Sequence, residues 1–317
     1  MQAPPILTLV VALADLACAQ SDIGTCKQLN DEILADVAAG KLSQAETATL
    51  AIDDRRCAGV ILNNIAVVME RDGRWAEAEK FAQKSARVLE TVVAFDDPIL
   101  LPPYHLLSAN NLNQNKIAKS REAFRRILQI RAETPKDRLL VHGMGAALLR
   151  SEGKLRDAES EYLLALGAAR EAGLSEAPEG ATVFTGLGGL YIEQNRFGDA
   201  SGALEQAKQI LVTHKDTHPV EYMELLLARA LLSTRQGHWR DAEQELGEGL
   251  DIAHHKPPDA DLMASMLNWY VIVLRKTHRG REARALEAQA QTLRGHSESK
   301  AIVDVSELAY AARQKGR

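Results

Sequence analysis

One small residue keeps returning in this chain at nearly constant intervals. The segments GRWAEAEKF, NKIAKSREAF, GKLRDAESEY, NRFGDASGAL and GHWRDAEQEL follow one plan: Gly or Asn, a basic or polar residue, an apolar residue, two further residues, then a small one. HRGREARAL is a fainter sixth copy. Anchored on the small residue, the copies stand at Ala78, Ser120, Ala158, Ala200, Ala242 and Ala283, spaced by 42, 38, 42, 42 and 41 residues. Such a period constrains the fold more than any composition, because it requires one supersecondary unit to be repeated and stacked.

Each unit reads as two helices. Upstream of the anchors runs an apolar pattern at helical spacing, as in Leu62, Ile65, Ala66 and Met69 or Phe184, Leu187, Gly188 and Tyr191; downstream runs another, as in Phe124 and Ile127 or Leu204 and Ala207. The Gly or Asn between them supplies the left-handed residue that ends the first helix. Aromatics make up only 4% of the chain, with Ala and Leu abundant, which suits a mostly helical protein. A lone hairpin cannot bury both stripes, so stacked copies must share one continuous core. Between units, Asp97-Pro98, Thr134-Pro135, Ala177-Pro178, His218-Pro219 and Pro257-Pro258 place proline where one helix stops and the next begins.

The stretch FTGLGGLYIEQNRFGDASGALEQA, with Phe184, Leu187, Gly188, Tyr191, Ala200, Leu204 and Ala207, resembles the tetratricopeptide repeat, and LNNIAVVMERDGRWAEAEKF from Leu62 is similar to the kinesin-light-chain subtype with repeats of about 42 residues. The resemblance spans residues 57–295 in six units. It implies an all-α fold, a right-handed α-solenoid of stacked antiparallel helix pairs. Residues 20–56, with their own Gly40-Lys41-Leu42 turn and Ala45 anchor, read as an atypical N-terminal hairpin, and residues 296–317 as a C-terminal cap. Gly145 and Arg229 stand where the motif has Leu, Asn111 where it has Tyr, and Glu287 where it has an apolar residue.

Residues 1–19 read as an export signal: an apolar run from Ile6 to Ala14, then Ala17-Cys18-Ala19 as a cleavage pattern. Cys18 as a lipid-bearing cysteine is the less favoured reading, since Asp15 occupies a position where lipoprotein signals resemble one another in carrying an apolar residue. Cleavage leaves Cys26 and Cys57, and an even count in an oxidising compartment favours a disulfide over two buried thiols. The expected location is periplasmic or secreted, or cytoplasmic if the signal is not used. No stretch reaches the roughly 20 apolar residues of a membrane span. A net charge of −5 with interspersed signs gives no footprint for nucleic acid.

Candidate chemistry is sparse. His214 and His218 have metal-pair spacing, but Pro219 is expected to take them out of helical register, and no third ligand lies at zinc-like spacing. His254-His255 suits a helix C-terminus. GLGGLY and HGMGAAL lie inside predicted first helices, where their glycines serve close packing and not phosphate binding. Trp75, Trp239 and Trp269 read as packing residues, and the basic run Lys116–Arg138 as a solvated outer helix. No catalytic motif, cofactor site or metal set is read, so the expectation is a non-enzymatic chain without cofactors.

The family resemblance implies that first helices line a concave groove holding a protein or peptide partner. By register the groove positions are Asn63, Glu70, His105, Arg150, Thr185, Glu193, Arg235, Asn268, Arg275 and Lys276. Asn there can both donate to and accept from a peptide backbone. Arg150, Arg235, Arg275 and Lys276 make the later half basic, which suggests an acidic partner. The alternative is a structural protein that associates with itself through its end faces.

Overall fold

The computed structural model describes residues 23–71, 74–255 and 260–296. The export signal, the Pro257-Pro258 junction and the capping segment from residue 297 onward lie outside them. The described residues form fourteen α-helices: α1 (Ile23–Ala38), α2 (Leu42–Leu50), α3 (Arg55–Arg71), α4 (Trp75–Glu90), α5 (Leu101–Asn113), α6 (Ile117–Ile127), α7 (Pro135–Ser151), α8 (Leu155–Glu171), α9 (Pro178–Glu193), α10 (Phe197–Leu211), α11 (Pro219–Gln236), α12 (Trp239–His255), α13 (Ala260–Lys276) and α14 (Gly280–His296). Each odd-numbered helix packs against the even-numbered one that follows it, and from α4 to α12 each even-numbered helix packs on the first helix of the next pair. The result is an all-α solenoid.

The turn inside a pair recurs along the array. Gly40, Asn115, Gly153, Asn195, Gly237 and His278 all have φ between +56° and +81°. One residue later, the backbone N–H of Lys41, Arg74, Lys116, Lys154, Arg196, His238 or Arg279 donates to the carbonyl five residues back, at 2.7–2.9 Å. That six-to-one bond satisfies a carbonyl left open at the helix end. His278 fills the left-handed position in the last pair, a region His enters more readily than most side chains.

The anchors meet residues twelve positions upstream. Ser108 Oγ lies 3.0 Å from Ser120 Oγ, which fixes the register of the contact. At the same register stand Ala66 and Ala78, Ala146 and Ala158, Gly188 and Ala200, Ala230 and Ala242, and Val271 and Ala283, all buried. At five of these six positions both residues are small, and in the last Val271 stands opposite Ala283.

The prolines act at helix starts. Pro135, Pro178 and Pro219 begin α7, α9 and α11, where a missing N–H costs nothing. Pro98 opens a 3-10 turn (Pro98–Leu100) whose N-cap, Asp97, accepts from the Ile99 N–H. Thr134 and Asp137 add a reciprocal capping box to α7.

Ion pairs tie consecutive units. The cation just after the left-handed residue reaches back to a glutamate of the preceding unit: Lys116 to Glu79 at 3.9 Å, Arg196 to Glu159 at 2.8 Å, and Arg279 to Glu243. Where Arg121 replaces that glutamate, Arg121 and Lys154 both grip Glu152, each at 2.7 Å. Exposed pairs like these contribute little individually and serve mainly to set register.

At the N-terminal end, α2 has only nine residues against sixteen in α4, so the first hairpin has less to pack with. Ile33 and Val37 of α1 still enter the core around Ile61, Leu62 and Met69. A Cys26–Cys57 disulfide joins α1 to α3, with the Cα atoms 5.9 Å apart.

Two outcomes follow for stability. Ala200→Leu should lose roughly 1–3 kcal/mol through overpacking, seen as a lower melting temperature; an unchanged melt would refute the crossing register. The Cys26→Ser/Cys57→Ser variant should lose about 3.5 kcal/mol by the chain-entropy argument for a loop of this length, and α1–α2 should become the first site of limited proteolysis.

Candidate functional site

Ten positions define the expected groove, and the structure divides them into two groups. Asn63, Glu70, His105, Arg150 and Thr185 are only 2–7% exposed. Glu193, Arg235 and Asn268 are half-buried, and Arg275 and Lys276 are exposed. The buried group thus serves the interior instead of offering a surface. The reason is local: first helices such as α5 and α9 touch their own partner, the preceding second helix and the neighbouring first helices, so few of their side chains stay open.

Arg150 shows what the interior does with charge. Its Nε and Nη2 donate to Glu193 Oε1 at 3.0 and 2.7 Å, joining α7 to α9. Burial opposes the charge, yet the Tyr162 hydroxyl and the Glu193 carboxylate beside it hold the guanidinium pKa above its ordinary value, while burial raises that of Tyr162. The glycines of GLGGLY make room for this cluster. A Cβ on Gly186 would sit 2.8 Å from the Tyr162 ring, one on Gly189 would sit 2.7 Å from the Arg150 guanidinium, and one on Gly188 would sit 2.6 Å from Leu204. The phosphate-loop look of that sequence is a packing requirement.

The departures from the repeat motif compensate one another. Arg229 donates to Glu245 at 2.9 Å and to Glu205 at 3.1 Å, and Ser233 donates to Glu245 at 3.3 Å. Burial lifts the Glu245 carboxyl above its usual range, against the pull of Arg229 and Ser233. In the third unit, Phe124 approaches Gly145 from the preceding pair, and Glu161 binds His142 Nδ1 at 2.8 Å. Asn111 donates to the Leu107 carbonyl at 2.7 Å, and Glu287 accepts from Arg275 at 2.8 Å. These networks were missed in the sequence, although a signal existed: both units that lack Leu thirteen residues before the anchor and have Gly or Arg instead carry Glu three residues after it.

The remaining cations have partners inside the chain. Arg235 donates to Asn195 Oδ1 at 2.6 Å and lies over the Phe197 ring, and Lys276 lies 6.0 Å from the Trp239 ring centroid. Of the basic run on α6, Lys119 pairs with Glu79, Arg121 with Glu152 and Arg126 with Glu90. His105, on α5, is enclosed, and burial pushes its pKa down to about 4.

His214 and His218 lie in the connection between α10 and α11. The His218 N–H donates to the His214 carbonyl at 2.7 Å, an i to i−4 bond that carries the chain round one more turn. The two rings therefore approach, with centroids 6.1 Å apart. His218, with φ −128°, is the N-cap of α11, and Pro219 begins that helix. His214 Nδ1 lies 2.9 Å from the Ile210 carbonyl. Among the described residues no group of three or more His, Cys, Asp or Glu side chains is placed to hold a metal, and no helix is long and apolar enough to cross a membrane.

The fold and its buried inter-unit contacts define a helical-repeat solenoid. Residues 60–99 match the family described as tetratricopeptide repeat. Among solved structures, it is similar to aspartyl phosphate phosphatase F from Bacillus subtilis, at 12% identity and a TM-score of 0.59 over 88% of this chain and 70% of that one. It is also similar to BtubC (BKLC) from P. vanneervenii, at 18% identity and a TM-score of 0.50 over 74% of this chain and 93% of that one. No protein of curated function matches the sequence.

Breaking the buried pair with Glu193→Gln should cost roughly 3–5 kcal/mol, because Arg150 is left enclosed without its counter-charge; denaturant titration measures it. His105 gives a pH dependence. Its folded pKa of about 4 lies below the unfolded value of about 6.5, so the unfolded chain takes up the proton first. The stability it secures is complete above the unfolded value and falls as pH drops toward about 4, by about 3 kcal/mol. In denaturant titrations across that window, His105→Gln should flatten the loss.

Proposed function

We propose that this protein is a non-enzymatic interaction scaffold that holds an extended segment of a protein partner on its concave side, in the later half of the array. One observation carries the reading: Arg235, Asn268, Arg275 and Lys276 keep part of their surface open on consecutive first helices, α11 and α13, whereas five of the six earlier positions are enclosed and Glu193 is half-buried. Stacked first helices with partly open polar side chains offer a long, shallow surface suited to main-chain and side-chain hydrogen bonding. The partner segment is acidic. Arg275 and Lys276 are exposed, and the hydrogen bond from Arg235 to a neutral Asn195 leaves its charge uncompensated by that contact. Arg150 drops out of the recognising set because it is enclosed as well as paired with Glu193, whereas Arg275 keeps its surface open beside Glu287.

The proposed place of work is an oxidising compartment outside the cytoplasm, which the Cys26–Cys57 bond supports, since such bonds persist there.

Capture of partners from the native compartment, followed by titration of the captured protein, tests the reading. Arg235→Glu with Arg275→Glu should weaken binding by about tenfold or more, as expected for reversing two charges at one interface. Undiminished affinity in that variant would sink the basic-groove reading, and turnover of a small substrate by the pure protein would sink the scaffold reading itself.

A further inference from the structure

Second helices in this solenoid bury one stripe and turn the opposite face to water. On α4, α10 and α12 that outer face is polar, as at Lys80, Glu205 and Gln244. On α8 it carries two adjacent leucines, Leu163 and Leu164, each 52% exposed. Their surroundings are ordered symmetrically along the helix. Seven residues outward stand Arg156 on one side and Glu171 on the other; six residues outward stand Asp157 and Arg170; three residues outward stand Ser160 and Gly167. At 3.6 residues per turn, Arg156, Ser160, Leu163, Leu164, Gly167 and Glu171 share one arc of roughly 100°. Both ends of this stripe are exposed, and a Cβ built on Gly167 would meet nothing within 4 Å.

A surface with this order is complementary to itself only when reversed. We infer that α8 is a homodimer contact, in which a second copy lays its own α8 antiparallel across the first about a two-fold axis passing between Leu163 and Leu164. Leu163 then meets Leu164 of the second copy, Ser160 lies opposite Gly167 so that the backbones can approach, and Arg156 and Asp157 face Glu171 and Arg170. Each ion pair occurs twice by symmetry. A parallel arrangement would instead set Arg156 against Arg156 and Asp157 against Asp157. Antiparallel helices also place each N-terminus beside a C-terminus, which their dipoles favour. Glu171 accepts from Arg138 within the chain and remains exposed, so Arg156 of the second copy adds a second cation to it.

The charges fix direction and the leucines supply the attraction. Contact through essentially one helix of a curved outer surface buries less than a standard interface, so the dimer should be weak, with a dissociation constant of about 10 µM to 1 mM. This contact is separate from the groove and from either end of the array, so it stands or falls independently of the proposed scaffold.

Analytical ultracentrifugation of the full chain, from low micromolar to several hundred micromolar, tests it. The expected result is a reversible monomer–dimer equilibrium. Leu163→Glu with Leu164→Glu should leave a monomer at every concentration with an unchanged helical circular-dichroism spectrum. Arg156→Glu alone should weaken the dimer several-fold, and Arg156→Glu combined with Glu171→Arg should restore it. A wild-type chain that stays monomeric throughout, or a dimer that survives the leucine variant, overturns the proposal. A charge exchange that fails to restore the dimer overturns the antiparallel register.

Discussion

Everything in this array rests on how closely the two helices of a unit can cross. Ser108 meets Ser120 there, and the same register places small residues at Ala66 and Ala78 and at Gly188 and Ala200. Because the backbones are brought together there, the larger residues around the crossing, Leu187, Tyr191 and Leu204 among them, reach across it and bury one another. Among the described residues, the left-handed turn five residues before an anchor delivers the chain to that crossing. Crossing and turn are therefore two parts of one geometric requirement, which is why they recur together even in the last unit, where His278 replaces Gly or Asn.

That coupling explains why the architecture could be read from the residues. A contact that admits only small side chains, preceded by a residue that must take positive φ, leaves a mark wherever it occurs, and six copies of the mark define a period. Prolines at the junctions mark helix starts for an equally local reason. The details of the proposed surface were less legible. Which face of a first helix remains open depends on neighbours some forty residues away, and nothing near Asn63, His105 or Thr185 announces that those neighbours close over them. Repeat register names the side of the helix; only the packed array shows how much of that side reaches solvent. The same limit applied to His214 and His218, where an i to i−4 bond in the connection after α10 brings the two rings near each other ahead of Pro219.

Charge plays two roles in the chain. Between turns of successive units it is exposed and paired loosely, as at Arg196 and Glu159. In the interior it is committed, as at Arg150 and Glu193, where two glycines have been cleared to admit the guanidinium and the tyrosine ring beside it. An enclosed arginine can satisfy its donors only in a few arrangements, so the pair holds α7 and α9 in one relative position. Arg229 with Glu205 and Glu245 links α11 to the helices on either side in the same way. The Arg229 cluster lies where the repeat sequence departs from its own pattern, so an apparent loss of apolar packing there is matched by a directional polar contact.

The bond between Cys26 and Cys57 gives the first hairpin a different kind of attachment from every other unit. Elsewhere a pair is held by its neighbours, and its hold changes continuously with temperature or denaturant. The α1–α2 hairpin is short on packing and is held in addition by one covalent link that is either present or absent. The thiol–disulfide balance of the compartment therefore decides how firmly the array begins: oxidised, it opens with a fastened hairpin; reduced, its leading edge is the surface of α3, and the chain meets its surroundings with one fewer secure element.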